Sequence, residues 1–429
     1  MVRRGHPTVG VVGLGYVGLP LSLTFCEAGF RVVGFDVDPA KPAALAKGRT
    51  YLKTVPSARI AAQVRAGRLS ATTDFRKVGG VDALIYCVPT PLTHHREPDM
   101  SYIEETARAT APYLHKGMLV VLESTTWPGT TDEVVRPILE AAKGLRANRD
   151  FHLAFSPERE DPGNEKFTTA RIPKVVGADT PAALKAAVDL YGAAFQRVVP
   201  VSSTRTAEMV KIYENTFRAV NIAMANEVKL LCGRMGLDVF EVIRAAATKP
   251  FGFMPFYPGP GLGGHCIPID PFYLTWKARE FDFSTRFIEL AGEINTSMPY
   301  HVVERLRGGL ADLGKPLRGA RVLVLGVAYK RDIDDMRESP ALKILSLLDR
   351  AGARAAYHDP HVPRLPRTRE YAFDLASVPL TARSLAGFDA AVVVTDHAAV
   401  DYALVARRLP LVVDTRNVFP GGGRNIVTA

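Results

Sequence analysis

A cysteine in a turn rich in glycine and proline is the residue of this chain best suited to covalent chemistry. Cys266 lies in the segment Gly-Gly-His-Cys-Ile-Pro-Ile-Asp, residues 263–270. A thiolate can add to an aldehyde and hold the acyl group that a further oxidation produces. Near the start of the chain lies a glycine pattern typical of sites for dinucleotides that accept hydride. Together the two features predict an oxidation that continues past the aldehyde.

The glycine pattern follows a short apolar run and precedes a helical pattern, which predicts a strand, a tight turn and a helix. Gly13 permits the turn, Gly15 lets the backbone approach a pyrophosphate, and Gly18 lets the helix lie close to the strand. The free N–H groups at the start of the helix suit two phosphates. We predict that the cofactor is bound by Gly13, Gly15, Tyr16, Val17 and Gly18.

The next apolar strand ends at Asp36. A carboxylate at this position accepts hydrogen bonds from the adenosine ribose 2′-OH and repels a 2′-phosphate. The sequence therefore predicts NAD rather than NADP as the cofactor.

Three later apolar runs predict strand ends at the same edge of the sheet, where open parallel sheets bind their ligands. They are followed by Thr90, Thr125 and Glu158. We predict Thr90 and Thr125 as contacts of the cofactor or substrate. Glu158, in a charged loop, either holds a water or a sugar hydroxyl or is a solvated carboxylate.

A long helix is predicted from about residue 203 to residue 233. Lys211 and Asn215 are four residues apart and therefore share one face of this helix. Such a pair can stabilise an alkoxide and position a water, although two polar residues at this spacing are more often surface residues. A second helical block reaches about residue 313, and the whole region 203–313 is a candidate for contact between subunits.

Charge and hydropathy exclude several classes of protein. The formal net charge is +10, but the excess is diffuse and lies at both ends of the chain, which favours a solvated surface over a nucleic-acid track. Apolar runs stay well short of the roughly 20 residues of a membrane span, and the first residues do not resemble a signal peptide. We expect a cytoplasmic protein.

The four cysteines are widely spaced, so we expect neither a disulfide framework nor a zinc site. Cys26, Cys87 and Cys232 lie in apolar or helical contexts and are expected to be buried structural residues. The adjacent His94 and His95 have no acidic or cysteine partner at ligand spacing, so we predict no metal.

The C-terminal third begins with another strand and glycine turn, at residues 321–330, and a later strand ends at Asp359. The fold is therefore predicted to be α/β, with two Rossmann-type domains. The predicted domains are an NAD-binding domain over residues 1–202, a central helical spacer over 203–313 and a nucleotide-binding-like domain over 314–429. Lys330 and Arg337 can meet phosphates in the last of these.

The chain resembles the UDP-glucose/GDP-mannose dehydrogenase family over nearly its whole length, because five motifs occur in the family's order. They are the N-terminal fingerprint, the Ser-Pro-Glu loop ending at Glu158, the helix with Lys211 and Asn215, the turn at 263–270, and the segment 330–340. The resemblance implies a four-electron oxidation of a nucleotide sugar at C6, from primary alcohol to carboxylate, with two NAD⁺ reduced.

The resemblance also implies roles for the matching residues. Cys266 would form a thiohemiacetal and then a thioester, and Asp270 would handle protons or activate water. Lys211 would stabilise an oxyanion, and Asn215 would anchor a water or a hydroxyl. The remaining implied roles are proton relay for Glu158 and Thr125, cofactor phosphate for Arg337, and binding of the UDP-sugar by the C-terminal domain and by Glu158, Arg159, Lys211, Asn215, Gly263 and Lys330.

The loop after Glu158 and the segment 172–175 resemble the branch of the family that acts on UDP-N-acetylhexosamines, most closely its UDP-N-acetylglucosamine members. UDP-N-acetylmannosamine and UDP-glucose remain open as alternatives. A two-electron hydroxyacid dehydrogenase and a non-catalytic nucleotide sensor are more distant readings, since neither needs Cys266 together with Asp270.

Overall fold

The structure, a computed structural model, describes residues 7–52, 54–93, 97–159, 169–264, 267–368 and 370–429. It divides into one unit formed by Met1–Glu214 with Phe272–Phe283, and a second formed by Asn215–Pro271 with Ser284–Ala429. The predicted nucleophile Cys266 and the pair His94 and His95 lie outside the described residues.

The first unit is built on a sheet whose strands are almost all parallel. The strands found in the described residues are β1 (Thr8–Val12), β2 (Arg31–Phe35), β3 (Leu69–Thr72), β4 (Ala83–Tyr86), β5 (Leu119–Leu122), β6 (His152–Phe155), β7 (Lys174–Gly177) and β8 (Val198–Val201). Their order is β3-β2-β1-β4-β5-β6-β7-β8, and β6 pairs with β7 in antiparallel fashion. The order changes direction at β1, so ligands of such a sheet bind outside the carboxyl ends of β1 and β4.

Helices cover both faces of this sheet. They are α1 (Gly18–Glu27), α2 (Ala40–Ala46), α3 (Ser57–Arg65), α4 (Ser101–Thr110), α5 (Arg136–Lys143), α6 (Pro181–Gly192) and the start of α7 (Thr204–Met235), which continues into the second unit. Val9 and Val11 belong to one buried apolar cluster, whereas Val12 belongs to another. Because such strands are buried on both faces, they appear in the sequence as runs of consecutive apolar residues.

The second unit combines helices with a smaller sheet that is parallel throughout. Its remaining helices are α8 (Val239–Ala246), α9 (Asp270–Ala278, which extends into the first unit), α10 (Arg286–Asp312), α11 (Pro340–Arg350), α12 (Ala382–Leu385) and α13 (Tyr402–Arg408). Its strands, as far as the chain is described, are β9 (Arg321–Leu325), β10 (Arg354–His358), β11 (Ala390–Val393), β12 (Val412–Asp414) and β13 (Ile426–Thr428). Their order is β10-β9-β11-β12-β13.

The predicted fold class is confirmed: two Rossmann-type sheets and a helical region between them in sequence. The long helix predicted over residues 203–233 is α7, and the second predicted block is α10. Within the described residues, no helix is both long and apolar enough to span a bilayer.

Candidate functional site

Three glycines shape the turn between β1 and α1. Gly13 has a φ of +90°, its N–H donates to the Phe35 carbonyl at 2.8 Å, and a Cβ on it would lie 2.4 Å from the Cys87 carbonyl oxygen. A Cβ on Gly18 would lie 1.8 Å from the carbonyl oxygen of Gly13. At Gly15, in contrast, a Cβ would meet no described atom within 4 Å. The turn therefore has no room for a side chain at Gly13 or Gly18. Space remains beside Gly15, where a pyrophosphate would approach the helix.

Asp36 lies at the end of β2 and is only 5% exposed. One carboxylate oxygen accepts hydrogen bonds from the Leu14 N–H and the Lys41 ammonium, both at 2.8 Å. Since Leu14 belongs to the glycine turn, the carboxylate is fixed beside the open position. Tyr16 and Val17, in the same turn, are half-buried. These residues fit a dinucleotide whose adenosine ribose carries a free 2′-OH.

The loops that follow β4 and β5 are joined by Ser124. Its hydroxyl accepts from the Val88 N–H at 3.0 Å and donates to the Val88 carbonyl at 2.8 Å. Thr90 is buried, and its carbonyl accepts from the Tyr273 hydroxyl at 2.6 Å; Thr125 is half-buried. Both predicted threonines thus lie in connected loops at the carboxyl edge of the sheet.

The loop after Thr125 is also joined to α7, through a carboxylate that the sequence did not single out. Glu208 accepts hydrogen bonds from the N–H groups of Gly129 at 2.5 Å and Thr131 at 2.8 Å, and from the Thr131 hydroxyl at 2.7 Å. Burial raises the pKa of Glu208 to about 7, although these donors oppose the rise. Glu208 lies one turn before Lys211, so this contact fixes the part of α7 that carries the predicted lysine.

Glu158 belongs to a buried cluster of charges. One of its carboxylate oxygens lies 2.9 Å from the ammonium of Lys174, which also lies 2.9 Å from a carboxylate oxygen of Glu123. The second oxygen of Glu123 accepts a hydrogen bond from the Tyr191 hydroxyl. Neither Glu123 nor Lys174 was predicted as a site residue, because their partners are far away in sequence.

Arg159 is held within the first unit by two contacts. Its guanidinium forms a bidentate ion pair with Glu214, at 2.6 and 3.2 Å, and donates to the Pro173 carbonyl at 2.8 Å. These hydrogen bonds fix the orientation of the guanidinium, and a fixed orientation favours specific recognition of a substrate.

On α7, Lys211 is 8% exposed and lies one turn before Asn215. The Asn215 amide donates a hydrogen bond to the carboxylate of Asp270, the first residue of α9. Asp270 is 1% exposed. The structure thus joins two predicted residues that are 55 positions apart in the chain.

The glycines before the cysteine turn pack against the segment that follows β9. A Cβ on Gly263 would lie 2.6 Å from the Cβ of Tyr329, and one on Gly264 would lie 3.0 Å from the Tyr329 ring. Lys330, the next residue, is half-buried. Only glycine allows the two segments to lie this close.

A second contact joins these segments through Arg337. Its carbonyl accepts from the Gly264 N–H at 2.9 Å, while its guanidinium forms a bidentate pair with Asp335, with a shortest distance of 2.6 Å. The predicted phosphate ligand therefore has a carboxylate partner in its own loop.

One cluster carries donor atoms of the kind that bind metals. Atoms of Asp332, His361 and His397 lie within 4.8 Å of one another. In His397, however, Nε2 lies 3.0 Å from a carboxylate oxygen of Asp359, and Nδ1 accepts from the Asp332 N–H at 3.0 Å. Because both ring nitrogens are engaged within the fold, we assign this cluster a structural role.

Comparison with known proteins gives one consistent result. The chain matches the UDP-glucose/GDP-mannose dehydrogenase family in its NAD binding domain over residues 7–195, its central domain over residues 205–297 and its UDP binding domain over residues 323–421.

Individual relatives cover most of the chain. It is 36% identical over 372 residues to the UDP-N-acetyl-D-glucosamine 6-dehydrogenase of Pseudomonas aeruginosa, which covers 86% of this chain and 87% of the relative. It is 34% identical over 402 residues to the UDP-N-acetyl-D-mannosamine dehydrogenase of Escherichia coli K12, covering 91% and 93%. The solved UDP-D-ManNAc dehydrogenase of Pyrococcus horikoshii superposes with a TM-score of 0.88 at 32% identity, covering 98% of both chains.

Proposed function

Because the chain belongs to the UDP-glucose/GDP-mannose dehydrogenase family, whose members are NAD-dependent nucleotide-sugar dehydrogenases, we propose that it oxidises the C6 alcohol of a UDP-N-acetylhexosamine to the carboxylate. UDP-N-acetylglucosamine is the proposed substrate and UDP-N-acetylglucosaminuronate the product. The observation that carries the proposal is the contact between Asn215 and Asp270. It places a buried carboxylate and an amide at the start of the helix that follows the predicted nucleophile.

Bound NAD⁺ supplies the hydride acceptor, twice for each sugar oxidised. The glycine turn and the N-terminus of α1 would hold its pyrophosphate, Asp36 would hold the adenosine ribose, and Thr90, Thr125 and Arg337 are further proposed contacts. The family's UDP binding domain matches residues 323–421. Within this range, Lys330 is a proposed contact of the substrate. Glu158, Arg159 and Gly263 complete the proposed set of substrate contacts.

In the first oxidation, the C6 hydroxyl loses its proton to the relay of Thr125 and Glu158 as the C6 hydride departs. The Cys266 thiolate then adds to the aldehyde carbon, which forms a C–S bond and leaves an alkoxide. The Lys211 ammonium stabilises this oxyanion by its charge. Because Lys211 is 8% exposed, its charge is poorly screened by water.

In the second oxidation, the thiohemiacetal loses its remaining C6 hydride and becomes a thioester. Asn215 anchors the water that attacks the thioester carbon, and Asp270 takes a proton from that water. The C–S bond breaks, the Cys266 thiolate leaves, and the carboxylate is released. The complete reaction converts one alcohol, one water and two NAD⁺ into one carboxylate, two NADH and three protons.

The choice of sugar rests on likeness alone. The relatives named above include enzymes for UDP-N-acetylglucosamine and for UDP-N-acetylmannosamine at similar identity. These sugars differ in configuration at C2, and UDP-N-acetylmannosamine is accordingly the second candidate.

A panel of substrates tests the proposal. Purified protein is given NAD⁺ with UDP-N-acetylglucosamine, UDP-N-acetylmannosamine or UDP-glucose, and the product is identified by mass spectrometry together with kcat/KM. We expect the uronate of UDP-N-acetylglucosamine, formed with the highest kcat/KM. A preference for UDP-N-acetylmannosamine corrects the sugar, whereas activity only on a small hydroxyacid contradicts the proposed substrate class.

We also propose a division into domains at residues 202 and 313, and a homodimer formed through α7. Large apolar side chains on this helix are 37–66% exposed and recur at helical spacing along one face: Met209, Tyr213, Phe217, Met224, Val228, Leu231 and Met235. Such a stripe fits the seam between two copies of a helix. Light scattering after chromatography should give twice the mass of the chain for wild type and a lower mass for Phe217→Glu.

We place the reaction in the cytoplasm, because NAD and UDP-sugars are made and kept there. Fractionation of the source cells tests this location.

A further inference from the structure

We propose that Lys174 is a positioning residue for Glu158: its buried ammonium keeps the Glu158 carboxylate ionised and directed for proton transfer. The inference rests on the proposed function, since it concerns how one residue of that site is prepared. Lys174 begins β7, and its side chain is 3% exposed. An isolated lysine at this depth would lose its proton and become neutral. The neighbouring carboxylates therefore stabilise the charged form of Lys174.

The geometry gives Lys174 one oxygen of each neighbouring carboxylate. Its ammonium lies 2.9 Å from Glu158 Oε2 and 2.9 Å from Glu123 Oε2. The remaining oxygen of Glu158 accepts from the Arg159 N–H at 2.8 Å. With both oxygens engaged, the Glu158 carboxylate has a fixed plane.

The ammonium of Lys174 is surrounded by aromatic rings and a buried carboxylate, so it does not form a solvent-exposed ion pair. The ammonium lies 5.5 Å from the centre of the Tyr191 ring and 5.4 Å from that of Phe195, within reach of a cation–π contact. The Glu123 side chain is fully buried, whereas that of Glu158 is 12% exposed. Glu123 therefore anchors the lysine from inside, and Glu158 is the end of the cluster that reaches solvent.

The charges explain why the lysine matters. Burial by itself lowers the pKa of Lys174, but the two carboxylates raise it above its ordinary value. The pKa of Glu123 is raised by burial, which Lys174 opposes and Glu158 reinforces. Glu158 also acts electrostatically on the Cys87 thiol, and burial raises the pKa of Cys87 well above its ordinary value. Lys174 is thus the cation that Glu123 and Glu158 share.

Removing Lys174 takes away the ammonium that Glu123 and Glu158 share in this buried site. Loss of this nearby positive charge favours the neutral form of the Glu158 carboxyl group. A protonated Glu158 cannot accept the proton of the substrate, so the rate should fall at neutral pH and recover as the pH rises. A purely structural lysine would leave no such dependence on pH.

The experiment compares Lys174→Met, Lys174→Arg and the double variant Glu123→Gln/Lys174→Met in the full-length protein. Each is assayed with UDP-N-acetylglucosamine, or with the sugar that wild type prefers, from pH 6 to pH 10. We expect kcat at pH 7 to fall about tenfold or more in Lys174→Met, with the acidic limb of the profile moved up by about one pH unit. Lys174→Arg should restore most of the rate, and KM should change less than kcat.

The double variant is included in case Lys174→Met does not fold. It removes one positive and one negative charge from the core together, so the net buried charge stays the same. Its acidic limb should lie between those of wild type and Lys174→Met, since Glu158 then lacks the cation but also lacks its anionic neighbour. Lys185→Met, which breaks an exposed ion pair with Asp189 in the same unit, is the matched control and should behave as wild type. NAD⁺ affinity reports whether each variant is folded.

A folded Lys174→Met with the kcat and the acidic limb of wild type would overturn the inference. If Lys174→Met does not fold, the inference is overturned instead by a folded double variant whose pH profile has the acidic limb of wild type. Failure of the proposed function is a separate result, because wild type itself would then oxidise none of the UDP-sugars.

Discussion

The two sheets of this protein share the same turn geometry after their first strands, β1 and β9, but the segments that follow these turns differ. Gly13 after β1 and Gly326 after β9 have φ values of +90° and +81°. Each glycine N–H donates to the last carbonyl of the neighbouring strand, at 2.8 Å to Phe35 and 2.9 Å to His358. A Cβ on either glycine would lie 2.4 Å from a carbonyl oxygen of the adjacent strand end.

The strand-end aspartates extend the likeness. Asp36 accepts from the Leu14 N–H at 2.8 Å, and Asp359 accepts from the Val327 N–H at 2.7 Å. The difference is what else each carboxylate meets. Asp36 pairs with the Lys41 ammonium, which is 30% exposed, whereas Asp359 is covered by the fully buried His397.

The loops after the two glycines differ most. In the first unit, α1 starts at Gly18, so the crossover ends in a short open turn. In the second unit, α11 starts only at Pro340, and the intervening segment packs against Gly263 and Gly264. The same crossover thus serves two tasks. In the first unit it leaves the helix N-terminus open to a pyrophosphate, and in the second the segment after it packs against the glycines that precede Cys266.

The largest expected effect comes from replacing the shared glycines. Gly13→Ala and Gly326→Ala each place a Cβ against a carbonyl oxygen at positive φ, which should cost about 3 kcal/mol of unfolding free energy. NAD⁺ binding by the folded fraction should be lost only in Gly13→Ala. Urea unfolding and calorimetric titration measure the two quantities, and equal loss of NAD⁺ binding in both variants would contradict the division of tasks.

A smaller effect is expected for Asp359→Asn. Burial by itself raises the pKa of Asp359, but hydrogen bonds from His397 and from backbone N–H groups outweigh it and lower the pKa to about 2. The variant should lose about 2 kcal/mol of unfolding free energy at pH 7 and keep its affinity for NAD⁺.

The sign of the pH dependence follows from the lowered pKa. The ionised carboxylate stabilises the fold above its unfolded pKa of about 3.9, and this contribution disappears as the pH falls toward about 2. The difference between wild type and Asp359→Asn should therefore narrow across that window. The exposed Asp374→Asn, in the same unit, is the control and should leave stability unchanged at pH 7. A constant difference from pH 7 to pH 2 would show that the charge of Asp359 is not the cause.

The smallest change in the free energy of unfolding is expected for Gly15→Ala. A Cβ at this position meets no described atom within 4 Å, so the free energy of unfolding should stay the same. The methyl group would occupy space next to the pyrophosphate, and NAD⁺ affinity should fall about tenfold. If affinity is unchanged, the open side of the turn does not face the cofactor.

The sequence was sufficient wherever a signal is local. The glycine spacing, the continuous apolar runs of β1, β2, β4 and β5 and the absence of breakers before Gly233 predicted the first crossover and α7. The strand β3 was not predicted, because Leu69–Thr72 is short and alternates with exposed residues rather than forming an apolar run. Edge strands of this kind carry a weak pattern.

The sequence names candidate site residues one by one, but it does not predict the contacts among them. Asp270 is near Cys266 in sequence, yet its partner Asn215 comes from α7, 55 residues earlier. Lys174 begins an apolar strand, and Glu123, 51 residues before it, directly follows another, so neither position indicates a buried ion pair. Such pairs arise from the order of strands in the sheet, which brings β5, β6 and β7 side by side.

The most direct test of the account is the number of NADH molecules formed for each UDP-sugar consumed, measured for wild type and Cys266→Ser with UDP-N-acetylglucosamine. We predict two NADH and one uronate for wild type, and a loss of turnover to uronate in the variant. One NADH with an aldehyde product, or a variant that makes the uronate at the rate of wild type, would contradict the four-electron route through Cys266.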